Sequence, residues 1–180
     1  MKWLKYAAAA AFSLALIVLL ILVGLGGLRG ESRLVHTIQI DRPASDVFTW
    51  ITEPERLKAW VGSLVDVETL TPGSQGPGTR TRWMLHDAEE SDQVLEVDFE
   101  VTRVEPGRLL EARVHSPELS GSVSYTLEPL DANRTLLMYR ANSLYERKLL
   151  VSIYSRAAQR KLNDDMARLK QLAEARPLGR

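Results

Sequence analysis

Cysteine is absent from the 180 residues. That excludes disulfides, thiol catalysis and the cysteine-based zinc and iron–sulfur sites. Histidine is scarce: His36, His86 and His115 sit far apart without metal-ligand spacing, so chance scatter explains them better than a metal site. Net charge is missing as well, with 23 basic residues against 23 acidic ones. Lys2 and Lys5 are the only charges before Arg29, which leaves 21 basic and 23 acidic residues downstream, a net of −2. A nearly neutral chain with interspersed signs has no electrostatic footprint for nucleic acid. It also lacks the clustered lysines that bind anionic lipid headgroups. The glycines at 73, 76 and 78 lack the Gly-Lys-Ser/Thr ending of a phosphate-binding loop and do not lead into a helix, and no Gly-x-Ser-x-Gly elbow occurs.

Long apolar runs are likewise missing, with one exception. Ala7 to Leu28 are 22 consecutive residues without a charge. As a helix rising about 1.5 Å per residue they reach roughly 33 Å, enough for a hydrocarbon core of about 30 Å. A soluble core helix needs a polar face, and this segment has only Ser13. A cleaved signal peptide has a shorter apolar stretch and a small-x-small site, which Gly24-Leu25-Gly26 only weakly resembles. The segment therefore reads as an uncleaved single-pass anchor. Lys2 and Lys5 favour a cytoplasmic amino terminus and an exported domain, while Arg29 and Arg33 pull the other way.

Residues 1–30 are read as anchor and short polar joint, 33–176 as one domain and 177–180 as a tail. Leu34, His36, Ile38 and Ile40 alternate with polar or smaller residues in a first strand. Pro43 opens a short helix with Val47, Phe48 and Ile51 on its apolar side, and a second runs through Arg56, Leu57 and Trp60. Strand patterns follow at 64–70, 79–86, 94–104, 109–115, 121–130 and 135–141. Their hairpin spacing implies antiparallel pairing with one buried face. A long helix is expected from about Tyr145 to Ala175, with an apolar stripe through Leu150, Tyr154, Ala158, Leu162, Met166, Leu169 and Ala173. Arg160, Asp164 and Arg168 form an i,i+4 ladder on another side. Asp164 and Asp165 read as solvated groups. Glu96, Asp98 and Glu100 read as a solvated strand face offset by Arg80, Arg82 and Arg113, not as acid–base machinery.

This order resembles the helix-grip fold of the START-like (SRPBCC) superfamily, which includes START lipid-binding domains and polyketide cyclase/dehydratase-like proteins. The resemblance rests on Ile40 to Phe48, Leu57 to Trp60, Gly76 to Arg80, Val104 to Leu110, Tyr125 to Pro129 and Arg134-Thr135. It implies an α+β fold: a curved antiparallel sheet of about seven strands around a long C-terminal helix, with two short helices after the first strand, added here to one N-terminal transmembrane helix. It also implies a hydrophobic cavity between sheet and long helix. On strand and helix parity, Trp60, Trp83, Phe99, Tyr125, Tyr139 and Tyr154 are expected to line it. Each would otherwise simply fill core. The glycine-rich loop and the first turn of the long helix are expected at the entrance. No catalytic residue, metal ligand or cofactor is expected. The leading reading is a membrane-tethered, non-catalytic binder of a lipid, quinone or polyketide-like molecule. The alternatives are a cyclase- or dehydratase-like enzyme, and an interaction module with a filled core and a still unnamed protein partner.

Overall fold

The computed structural model describes residue 17 and residues 30–72, 76–86, 94–145 and 148–175, with backbone alone for 148–154. The proposed anchor at 7–28, apart from Ile17, and the tail at 177–180 lie outside the described residues. Among the described residues, no helix is long and apolar enough to cross a membrane.

Strand β1 (Gly30–Ile40) leads to helix α1 (Ala44–Thr52) and helix α2 (Pro54–Trp60). Strands β2 (Leu64–Thr69), β3 (Arg80–His86), β4 (Val94–Glu105), β5 (Leu109–His115), β6 (Leu119–Asp131) and β7 (Arg134–Tyr145) follow, and helix α3 (Lys148–Ala175) ends the domain. The strands form one sheet in the order β1-β7-β6-β5-β4-β3-β2, antiparallel at every described pairing. This is the expected helix-grip element order.

Pro43 starts α1 because its fixed φ suits a first turn, and its carbonyl accepts the Asp46 and Val47 N–H groups. Pro54 occupies the first turn of α2 in the same way. At the far end of the sheet, Ile40, Val47, Ile51, Leu127, Leu137 and Leu169 are fully or almost fully buried. The same end is tied by polar bonds: Asp41 N–H donates to Glu174 Oε1 at 2.8 Å, Thr135 Oγ1 to the Arg42 carbonyl at 2.8 Å and Lys170 Nζ to the Gln39 carbonyl at 2.6 Å.

Two boundaries differ from the sequence reading. The expected polar joint is part of β1, since Gly30 to Arg33 pair with Tyr145 to Asn142. Polar residues are compatible with a strand there because β1 is an edge and alternate side chains face solvent. Arg33 Nε also donates to Asn142 Oδ1 at 3.1 Å. Correspondingly, β7 runs to Tyr145 and the long helix begins at Lys148, three residues later than expected.

Candidate functional site

The strands carry inward residues at every second position, and the helices close over them. At the end of the sheet where β1 begins, this closure is incomplete. A partly enclosed cavity of about 300 Å³ lies between sheet, α2 and α3. Its place is set by register: Leu34 starts the wall on β1, Leu85 ends it on β3, and Leu119 and Ser143 bound it on β6 and β7. Gly76 and Gly78 lie beyond the other end of β3 and are not in the lining. The rest of the glycine-rich loop expected at the entrance, residues 73–75, lies outside the described residues. The side chains of the first turn of α3 lie outside the described residues.

Five of the six aromatic residues named from sequence converge on this space. Trp60, Trp83, Phe99, Tyr125 and Tyr139 all line the cavity. Trp83 and Phe99 stack with centroids 4.1 Å apart, and Tyr125 meets Tyr139 edge-on at 5.0 Å. Such offset and edge contacts suit the charge distribution of the rings. Trp60 is anchored by its Nε1–H, which donates to the Trp50 carbonyl at 2.8 Å. Tyr154 belongs to α3, but its side chain lies outside the described residues. Aliphatic residues between the rings, among them Val97, Val114 and Val123, complete an apolar wall.

The polar groups on the wall are few. The Tyr125 and Tyr139 hydroxyls have no hydrogen-bond partner among the described residues. Burial raises both phenols, Tyr125 well above its ordinary value and Tyr139 to about 12, so both are neutral donors at physiological pH. Asp165 is the correction to the sequence reading. Only 8% exposed, it is a wall residue rather than a solvated one, and its Oδ1 accepts the Gly62 N–H at 2.9 Å. Burial raises its carboxyl above the ordinary value, against the lowering effects of the Gly62 N–H, Lys161 and Arg168. A signal for it was present: Ala158, Leu162, Asp165 and Leu169 recur at four, three and four residues, the spacing of an inward helical stripe.

Chemistry elsewhere stays bland. Arg82 bonds Asp98 at 2.8 Å and approaches Glu96 at 3.4 Å; Arg80 approaches Asp98, and Arg113 approaches Glu100. The Arg82 hydrogen bond holds the Asp98 carboxyl below the usual carboxylate range. This is the charge-matched outer face expected from the alternation. His36 meets Asn163 Oδ1 at 2.9 Å, tying α3 to β1. Among the described residues, no group of side chains is arranged to hold a metal ion.

A family model described as polyketide cyclase / dehydrase and lipid transport matches residues 32–174. No curated protein matches the chain. Among solved structures, an aromatase/cyclase from Streptomyces sp. R1128 is similar with a TM-score of 0.67 at 19% identity, over 83% of this chain and 98% of that one. A START superfamily protein from Mycobacterium smegmatis is similar with a TM-score of 0.67 at 12% identity, over 79% and 97% of the two chains. At such identities these neighbours establish the fold alone.

Proposed function

The chain belongs to the polyketide cyclase / dehydrase and lipid transport family, and on that premise we propose that it binds a compact hydrophobic molecule between its sheet and long helix without transforming it. The observation that carries this reading is the cavity of about 300 Å³ with stacked and edge-on aromatic walls. That volume lies at the low end of the range of small-molecule sites, about 300–1,000 Å³. Burial of the ligand's apolar surface contributes about 25 cal/mol per Å². The unpartnered tyrosine hydroxyls favour an occupant with at least one hydrogen-bond acceptor. The cavity also argues against a purely structural, filled core.

Residues 7–28 would tether the domain to a membrane, with the amino terminus cytoplasmic and the domain exported. Register supports a mouth on the tether side: Gly30 and Leu119 both pair with Tyr145, and Leu119 lines the cavity. Native mass spectrometry of the detergent-extracted full chain tests the binding reading. A co-purified small molecule is expected, and Ala158→Trp should eliminate it while leaving the fold intact, because Ala158 lines the cavity. An adduct-free wild type that also fails to bind added fatty acids, quinones and flat aromatics would overturn the reading.

One observation favours a second reading, a cyclase- or dehydratase-like enzyme. Asp165 shares the wall with the two tyrosine hydroxyls, which places a carboxyl of raised pKa among neutral donors. A poly-β-ketone thioester consumed by the wild type and spared by Asp165→Asn would establish it.

A further inference from the structure

Beside the apolar cavity lies an open cleft of about 490 Å³, lined by Gly62, Ala157, Arg160, Lys161, Asp164, Asp165 and Arg168. Lys161 and Asp165 line both spaces, so cleft and cavity meet along α3. The i,i+4 ladder expected of Arg160, Asp164 and Arg168 is not formed. Among the described residues, none of Arg160, Lys161 and Arg168 is in an ion pair. The one bond to a neighbour is a long one, from Arg160 Nε to the Arg156 carbonyl at 3.4 Å. Arg56, Lys58, Arg80, Arg82, Arg134 and Lys170 stand against carboxylates, whereas Arg33, Arg140 and Arg156, like the three cleft cations, are in no ion pair among the described residues.

The carboxylates of the cleft do not neutralise it. Asp165 is turned to the Gly62 N–H, and Asp164 is exposed. Three cations against two carboxylates leave the cleft net positive. The missing side chain at position 62 makes room for one of the cations. A Cβ there would stand 2.8 Å from Arg168 Nη1 and 3.2 Å from Asp165 Oδ1. The Arg168 guanidinium thus lies over the backbone of Gly62, next to Val61 of the cavity wall.

From this juxtaposition we infer that the ligand is amphipathic, with its apolar body in the cavity and an anionic end group, carboxylate or phosphate monoester, held in the cleft by Arg160, Lys161 and Arg168. Planar guanidinium groups present paired donors that match both oxyanions. Exposed cations beside an apolar wall attract such a group electrostatically, an attraction that salt screens. The inference rests on the binding reading above and narrows it to a ligand class.

Titration calorimetry of the full chain in phosphatidylcholine nanodiscs, with empty nanodiscs as the blank, tests it on octanoate, octyl phosphate and octan-1-ol. These probes share one apolar body and differ in the end group. At low salt at least one anionic probe is expected to bind about tenfold or more tightly than the alcohol, the scale of a charge-assisted hydrogen bond. Whichever anion binds better identifies the end group. The Arg160→Gln, Arg168→Gln double variant should bring the ratio close to one and leave the alcohol's affinity unchanged, since both side chains line the cleft and neither lines the apolar cavity. Equal binding of alcohol and anions by the wild type would overturn the anionic subsite and leave the cavity reading standing. So would a ratio unaltered in the double variant. No binding by any probe, together with no co-purified molecule, would overturn both.

Discussion

Asp165 on α3 accepts the backbone N–H of Gly62, in the turn after α2, at 2.9 Å. One buried carboxylate thereby joins the long helix to the short-helix layer across the cavity rim. Burial opposes its charge and raises its pKa. A carboxyl with a raised folded-state pKa binds its proton more tightly folded than unfolded. The stability contributed by Asp165 is therefore greatest below the ordinary aspartate value and falls as pH rises from there through the folded value. Asp165→Asn keeps an acceptor for Gly62 and cannot ionise. The stability of the variant relative to the wild type should rise between about pH 4 and pH 7, an interval that begins near the ordinary aspartate value. Urea unfolding at both pH values measures it. A difference that does not change with pH would show that Asp165 is not raised.

Tyr125 and Tyr139 line the cavity, and their hydroxyls have no hydrogen-bond partner among the described residues. Removing a hydroxyl that bonds no described residue breaks no such hydrogen bond, so Tyr125→Phe and Tyr139→Phe should each change stability by about 1 kcal/mol or less. Affinity for an acceptor-bearing ligand should fall several-fold in the same variants. A large stability loss on either substitution would mean that the hydroxyl is structurally bonded.

Gly121 sits near the start of β6, beside the cavity end of the sheet. A Cβ there would stand 2.1 Å from the Asn142 carbonyl oxygen and 3.0 Å from the Ser143 Cα, both backbone atoms. Backbone cannot swing aside as a side chain can. Gly121→Ala should therefore cost about 1–3 kcal/mol or more, the scale of overpacking, and should distort the β6–β7 pairing. Chemical denaturation measures the loss. A stability equal to wild type would show that the strands separate there at no cost.

The tether predicts a sharp boundary. Deleting residues 1–29 should release a folded domain from the membrane fraction, because β1 starts at Gly30. Deleting residues 1–33 removes the pairing of Gly30 to Arg33 with Asn142 to Tyr145. It should lower the melting temperature by about 2–4 °C for each kcal/mol lost in a domain of this size. Fractionation and thermal unfolding of the two truncations check both statements. Retention in the membrane fraction after removal of 1–29 would argue against residues 7–28 as the anchor. An active C-terminal alkaline phosphatase fusion would support export of the domain.

The order of elements and the aromatic wall were legible in the chain. Alternation along Leu34 to Ile40 and along Val94 to Val104 marks inward and outward faces by itself, because a strand's side-chain period is two. That parity is why Trp83, Phe99, Tyr125 and Tyr139 could be named as lining residues, and why Glu96, Asp98 and Glu100 could be read as a solvated face. The limits of β1 were not legible, since an edge strand continues through polar residues that carry no alternation signal. The helical spacing already puts Asp165 on the inward stripe, but its bond to Gly62 comes from the tertiary structure, as do the position of the cavity at the β1 end and the lack, among the described residues, of ion pairs for Arg160, Lys161 and Arg168. Each depends on how α3 lies across the sheet and against Gly62. Local sequence specifies which residues share a face of a helix. The angle and depth at which that helix packs are set by contacts between segments a hundred residues apart, and there a charged residue becomes buried or a cation loses its partner.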